Sequence, residues 1–538
     1  MPLLAAYPVI YLATANPGQA KWATVAAVTI AAVLAAMIAF GLIRLVARSA
    51  ISAGVATVLV VVMFFSYGQF VTWLDAFMVS LRLGDEQTPN ILDSAPNVRL
   101  AIALAWGALA LAGAWFLARA YWPSKPELSK AMTFAALLLL AGSLVMNVAQ
   151  RARTGNDETV ALNGGTSVVQ GQSSNPDVYF IVLDGYARQD VLARYYRYDN
   201  APFLDALRSR GFRIANRSST NYNWTFLSLS STLNMGYLQQ MFPGQLRGEG
   251  SDRSVLYESI RNSLTARFLK SRGYRTVHFQ STWGATAINP YADREVRCEF
   301  SMYGNEFVRS LVEASWLGAF HSKASTDLAK CHLANFATLA TIGSAPGPKF
   351  VFAHFVLPHH PYLFDRDGNI LRNAVISNQF EFQKRLWEDR DSYRSQLEFA
   401  NRKVLEAVDG ILASSRTPPI IVIESDHGPG LAAGLSQVDH LALRFASLGA
   451  YHLPGAPADL IPADGTAVNQ FRRILSHYFG AGLAPLPDRH FVSSYDHPYA
   501  FREMPHGLLV KLWTRLDNQP QAVPASITND PGVEPTDE

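Results

Sequence analysis

The stretch Asp177-Val-Tyr-Phe-Ile-Val-Leu-Asp184-Gly185 decides how the larger part of the chain is read. Apolar residues run from Val178 to Leu183 without a polar break and stop at a carboxylate followed by the most permissive residue. A run that does not alternate suits a strand covered on both faces. Three other runs have the same character: Tyr274-Arg-Thr-Val-His-Phe279, Lys349-Phe-Val-Phe-Ala-His-Phe-Val356 and Pro419-Ile-Ile-Val-Ile-Glu424. Helical patterns separate them, for example Asn200 to Arg210, closed by Gly211, and Asp391 to Leu412. Alternating strands and helices predict an α/β domain, a mostly parallel sheet sandwiched by helices. In such folds ligands sit beyond the carboxyl ends of the strands, so polar residues just past those ends are the ones to inspect.

Asp184 is the first. It aims a hard oxygen ligand past the strand, although a turn or helix cap is an equally ordinary use of Asp-Gly. Ser425-Asp426-His427-Gly428-Pro429 follows the last strand, and a neighbouring Asp and His there supply an oxygen and a nitrogen to one divalent metal. The third element is Asn221-Tyr-Asn-Trp-Thr-Phe-Leu-Ser-Leu-Ser-Ser-Thr-Leu-Asn-Met235, where Leu229, Leu233 and Tyr237 recur every four residues. That spacing predicts a helix starting near Thr225. Its hydroxyl then lies among free N–H groups that favour a tetrahedral anion, or serves as an ordinary N-cap. His354 and His278 fall inside strand-like runs and read as satisfied core residues.

Working outward, the chemistry changes near residue 150. The protein has 538 residues, too many for one ordinary core, with 17% charged and 49% hydrophobic residues. Apolar runs from Ala23 to Val46, Ala50 to Val71, Leu100 to Trp122 and Ala131 to Val148 each approach the length needed to cross about 30 Å of hydrocarbon. A shorter one, Pro2 to Thr14, lacks the basic start of a secretory signal and reads as an extra membrane segment. Residues 1–150 are thus expected to form a transmembrane bundle of four or five helices. Buried helices of a soluble protein rarely come as four consecutive spans of this length. Arg44 and Arg48 mark one cytoplasmic loop and Arg119, Lys125 and Lys130 another, which puts the acidic loop from Asp75 to Asn97 and everything after residue 150 outside. Arg151 and Arg153 run against that rule. Residues 151–175 read as a polar linker, 176–516 as one extracytoplasmic domain, and 517–538 as a Pro-rich, acidic, disordered tail. A formal charge of +3 gives no reason to expect a nucleic-acid partner, and nothing fixes an oligomeric state. Two cysteines, Cys298 and Cys331, exclude a disulfide scaffold and a four-thiolate zinc site; they pair once or both stay free.

Taken in order, strand-Asp184-Gly, Thr225-x-x-Ser-Leu-Ser-Ser-x-Leu-Asn, Phe-Ala-His354-Phe-x-x-Pro-His359-x-Pro-Tyr362 and strand-Ser-Asp426-His427-Gly resemble the alkaline phosphatase superfamily. More closely they resemble its sulfatase-like branch of membrane-anchored phosphoethanolamine and phosphoglycerol transferases, including lipoteichoic acid synthases. The resemblance covers residues 175 to 500 and implies an alkaline phosphatase-like fold in which Asp184, Thr225, Asp426 and His427 hold a divalent cation. Thr225 would also attack the substrate, and His359 and His440 would bind it. The implied cofactor is one divalent ion, Mn or Zn ahead of Mg or Ca, with a second as an option. The implied reaction moves a phospholipid headgroup phosphodiester to a glycan or lipid acceptor through a phosphothreonine, at the outer side of a bacterial cytoplasmic (inner) membrane. Two departures matter. Thr225-Phe-Leu-Ser-Leu229 lacks the Cys/Ser-x-Pro-x-Arg segment from which sulfatases make formylglycine, and Asp184 stands where the branch usually has Glu. The alternatives are a phosphodiesterase with water as acceptor and a non-catalytic membrane scaffold.

Overall fold

The structure is a computed structural model describing residues 2–15, 22–80, 96–120, 130–131, 133–143, 145, 175–246, 252–298, 306–320, 324–371, 374, 386–430 and 437–518. The expected linker, save residue 175, and the tail beyond residue 518 lie outside them.

Four apolar helices open the chain: α1 (Pro2–Ala15), α2 (Trp22–Val46), α3 (Ala50–Ser80) and α4 (Pro96–Arg119). Among the described residues, three stretches are long and apolar enough to cross a membrane, namely Trp22–Val46, Ala50–Leu74 and Leu100–Arg119. The shorter apolar helices are Pro2–Thr14 and Thr133–Ser143. α2 turns Ile30, Leu34, Met37, Ile38 and Leu42 outward. So many large apolar side chains left uncovered fit helices able to cross a membrane.

The second unit is built on a seven-stranded sheet in the order β2-β7-β6-β1-β5-β3-β4. The strands are β1 (Val178–Leu183), β2 (Arg213–Ile214), β3 (Arg275–Phe279), β4 (Arg294–Val296), β5 (Lys349–Phe355), β6 (Ile420–Glu424) and β7 (Gly449–His452). From β6 across to β4 all pairings are parallel, while β7 runs antiparallel to both β6 and β2. The sheet is therefore mostly parallel, as the continuous runs predict. Its four expected strands are its centre, and the short β2, β4 and β7 complete its sides.

Strand parity divides the core. Tyr179, Ile181, Leu183, Val351, Ala353, Phe355, Ile421 and Ile423 join the cluster on one face. There α8 (Arg390–Ser414) contributes Tyr393, Leu397, Val404, Val408 and Ile411. Val178, Phe180, Val182, Phe350, Phe352, Ile420 and Val422 join the other cluster. It is covered by α5 (Thr225–Asn234) and α10 (Ala467–Phe479). Period-2 alternation with helices on both faces explains why these strands carry no polar stripe. At the end of the sheet remote from Asp184, buried Lys349 pairs with Asp177 at 2.5 Å and also donates to the Gly343 and Ala345 carbonyls. Cys298 and Cys331 are joined in a disulfide, which decides the alternative left open by the sequence. Residues between them form α6 (Glu306–Ala314), the short turn Trp316–Phe320 and the start of α7 (Ala324–Thr341).

Candidate active site

Parallel register brings the chemistry together. Val182 of β1 pairs with His354 on one side and Glu424 on the other, so Asp184 and Asp426, each two residues further on, leave the sheet side by side. The Asp184 N–H extends the ladder by donating to the Phe355 carbonyl at 2.9 Å. Asp184 and His354 share the parity of Phe180 and Phe352, on the face that α5 covers. Thr225 stands at the start of α5. The helix cap is Trp224, in extended conformation, and its carbonyl accepts from the Leu227 and Ser228 N–H groups. Thr225 is thus inside the helix and its hydroxyl is not spent as a cap.

The hydroxyl lies 3.1 Å from His427 Nε2. The same nitrogen is 3.2 Å from Asp426 Oδ2 and 3.5 Å from Asp184 Oδ1. Asp426 Oδ1 accepts the Gly185 N–H at 3.1 Å, and the Ser425 hydroxyl ties the turn by accepting from Tyr186 N–H and donating to the His427 carbonyl. The structure therefore gathers Asp184, Thr225, Asp426 and His427 around one point. It adds His354, whose Nε2 is 3.5 Å from Asp184 Oδ2. Ligand atoms of Asp184, His354 and Asp426 lie within 4.8 Å of one another. The core reading holds for His278, whose Nε2 meets the Thr286 carbonyl at 2.8 Å, but His354 borders the acidic pair. Nothing local in the sequence marks it: it shares a face with Asp184 only once the strand register is known.

Burial decides the electrostatics. Asp426 is pushed up to about 7, first by loss of water and then by the negative charge of Asp184. Burial works against the Asp184 charge too, yet the imidazoles of His359, His354 and His427 around it hold it below the usual carboxylate range. The pair thus shares one proton that is lost as pH rises through about 7. Burial, helped by the Arg444 charge, holds His427 well below its ordinary value. Its Nδ1 faces the Gly428 carbonyl at 2.8 Å, which fixes the proton there and leaves Nε2 as the acceptor nitrogen. Asp184 Oδ1, Asp426 Oδ2 and His354 Nε2 are buried and make no hydrogen bond. Buried, unsatisfied oxygen and nitrogen donors converging from three strands fit a divalent cation, and the mixed set suits zinc or manganese better than calcium.

His359 is positioned by its N–H, which donates to the Asp184 carbonyl at 3.1 Å, and its ring centre lies 6.3 Å from that of His427. His360 and Trp387 wall this side, with His359 and Trp387 ring centres 4.9 Å apart. His440 is partly buried on α9 (Gln437–Phe445), one turn before Arg444. Arg444 was not visible as a site residue in the sequence, because an arginine near a helix end is usually a solvated cap. Here it donates to His427 Nε2 at 2.9 Å and to the Asn223 carbonyl at 2.8 Å. Burial lowers it to about 10, which leaves it cationic at neutral pH.

A family model described as Sulfatase matches residues 176–473. No curated protein matches the chain. Among solved structures, the chain is similar to the C-terminal periplasmic domain of EptC from Escherichia coli, at 14% identity and a TM-score of 0.41, covering 65% of this chain and 98% of that one. It is also similar to the C-terminal periplasmic domain of phosphoethanolamine transferase EptC from Campylobacter jejuni, at 10% identity and a TM-score of 0.35, covering 57% and 90%. Phosphonate monoester hydrolase of Agrobacterium radiobacter gives 15% identity and a TM-score of 0.35, covering 59% and 75%.

Proposed function

The chain belongs to the sulfatase family, and from that premise we propose that it is a membrane-anchored, metal-dependent phosphotransferase that moves a phospholipid headgroup phosphodiester to a glycan or lipid acceptor. The observation that carries this reading is the Thr225 hydroxyl, free of any capping duty and 3.1 Å from His427 Nε2 beside two buried carboxylates. Threonine attacks phosphorus; the formylglycine chemistry of sulfate ester hydrolysis needs a segment this chain lacks.

Asp184, Asp426 and His427 would hold a divalent cation against Thr225, with His354 at its edge, and that ion would supply charge to stabilise an alkoxide and a phosphoryl oxygen. In the first half-reaction Thr225 Oγ1 forms a bond to phosphorus, the bond from phosphorus to the glycerol oxygen breaks, and diacylglycerol leaves with a proton. The guanidinium of Arg444 binds a non-bridging oxygen of the group in transfer, a task suited to a fork of donors. In the second half an acceptor hydroxyl attacks phosphorus and Thr225 regains its proton. His359 is the base we assign to that hydroxyl. Its Nδ1 faces the His360 carbonyl, which leaves Nε2 as acceptor, and burial keeps the ring neutral. His440 extends the binding surface toward the acceptor.

The apolar helices support a lipid donor, since as membrane anchors they would hold the catalytic domain close to the headgroups. Arg48 donates its N–H to the Ala118 carbonyl, beside Arg119, so the basic residues of two loops gather at one end of the bundle. This arrangement supports a cytoplasmic end there and an outer catalytic domain. The test is the fate of labelled headgroup in membranes containing the protein. Label carried to a glycan or lipid acceptor supports transfer, and label released to water in a Thr225-dependent way replaces it with hydrolysis.

A further inference from the structure

The excursion between the two cysteines does not stay with the globular domain. Phe307, Val308, Leu311 and Val312, one face of α6, pack into a cluster with Val9 and Ala13 of α1 and Val25 of α2. The Trp316 indole N–H donates to the Ala103 carbonyl of α4 at 2.8 Å. Two glycines make the seat: a Cβ on Gly68 of α3 would strike the Glu313 carbonyl and come within 2.7 Å of Ala314 Cα, and one on Gly107 of α4 would come within 2.9 Å of the Trp316 ring. Contacts to four membrane-domain helices, at glycines that permit close approach, describe a built seat.

Ala118 lies level with Arg48, at the basic end of the bundle. Ala103 precedes Ala118 by about 23 Å along α4, and Gly68 stands about 27 Å from the start of α3, at 1.5 Å per residue. With hydrocarbon about 30 Å thick, both helices put the seat a few ångströms inside the edge opposite the basic loops. Tryptophan is favoured at that level, and the carbonyl partner of its N–H matters most where water is scarce. Leu317 and Phe320, in the same short turn as the seated Trp316, are 45% and 51% exposed, and Val98, Leu100 and Leu104 of α4 are also open.

We propose that residues 306–320 are a membrane-seated arm of the catalytic domain, with Leu317 and Phe320 in contact with the acyl chains of the outer leaflet. The disulfide between Cys298 and Cys331 ties its two feet together beside the sheet, where Asn335 donates to the Gln280 carbonyl at 2.8 Å. The arm gives the domain a second hold on the bilayer besides the chain connection. It fixes the height of the sheet above the lipid whatever the domain catalyses, so the inference does not depend on the reaction proposed above.

The test uses the full chain in lipid nanodiscs made with a phospholipid carrying a photoreactive group on its acyl chain. Peptide mapping after illumination is expected to find lipid adducts on residues 306–320 as well as on α2 to α4. A Leu317→Cys variant, its only free thiol at that position because the native cysteines are paired, should react with a water-soluble maleimide at least about ten-fold more slowly than a Asp205→Cys variant, since the thiolate is the reactive form and an apolar setting suppresses it. Adducts confined to α2 to α4 with fast labelling of Leu317→Cys would overturn the proposal in favour of an arm in water. Cross-linking of that thiol to another copy of the chain would overturn it in favour of a protein contact.

Discussion

Replacing Asp426 by Asn tests the electrostatics of the site with a change of sign. Asn keeps the oxygen that accepts the Gly185 N–H at 3.1 Å and places an amide near His427 Nε2, so the shape survives. What it removes is an ionisable group whose native pKa is pushed from 3.8 up to about 7 by burial and by Asp184. A raised native pKa means that the folded state holds the proton more tightly. Stability from this group is complete below pH 4, drains away as pH rises through 7, and is gone at pH 8. The loss is about 4 kcal/mol at 1.36 kcal/mol per unit. In chelator at pH 8 the variant is therefore expected to melt higher than the parent, by ~8 °C at roughly 2 °C per kcal/mol for a domain of this size. At pH 4 the two should melt together. Metal at a thousand times its Kd should return about 4 kcal/mol to the parent and nothing to the variant, closing the gap. The assay is tryptophan-fluorescence melting of the full-length protein in detergent, at both pH values, with chelator or with manganese or zinc. A variant that melts lower than the parent in chelator at pH 8, or a gap independent of pH, would refute the argument.

Other consequences are simpler. Gly430→Ala drives a methyl group into the ring of Trp387, the wall beside His359 and His360; overpacking of ~1–3 kcal/mol should raise KM or lower kcat with little loss of metal, measured by kinetics and metal analysis on one preparation. Arg444→Gln should weaken orthovanadate or phosphate binding by about ten-fold or more, the loss of a charged hydrogen bond, with the fold kept, as titration calorimetry would read. Lys349→Met leaves Asp177 buried without its cation and should destabilise the domain by about 3–5 kcal/mol, seen as a lower melting temperature at unchanged metal content.

The sheet was legible because its central strands are buried on both faces: the runs ending at Leu183, Phe279 and Glu424 need no context to be recognised. The edge strands were not, since β2 has two residues and β4 three, too few to carry a period. Asp184, Asp426 and His427 stood out because a strand end makes a polar residue conspicuous. His354 did not, because a histidine inside an apolar strand looks the same whether its partner is a carbonyl, as for His278, or a carboxylate. Arg444 and the arm depend on where helices pack, and no local pattern distinguishes an amphipathic helix facing a soluble core from one whose apolar face meets a membrane bundle.

In the proposed reaction Thr225 carries the group in transfer. Mass spectrometry of the full-length protein after acid quench of a reaction with native phospholipid, followed by peptide mapping, measures this directly. A headgroup phosphate on Thr225, absent from Thr225→Ala, is the expected result. Turnover by Thr225→Ala, or a phosphate trapped on a residue other than Thr225, would contradict it.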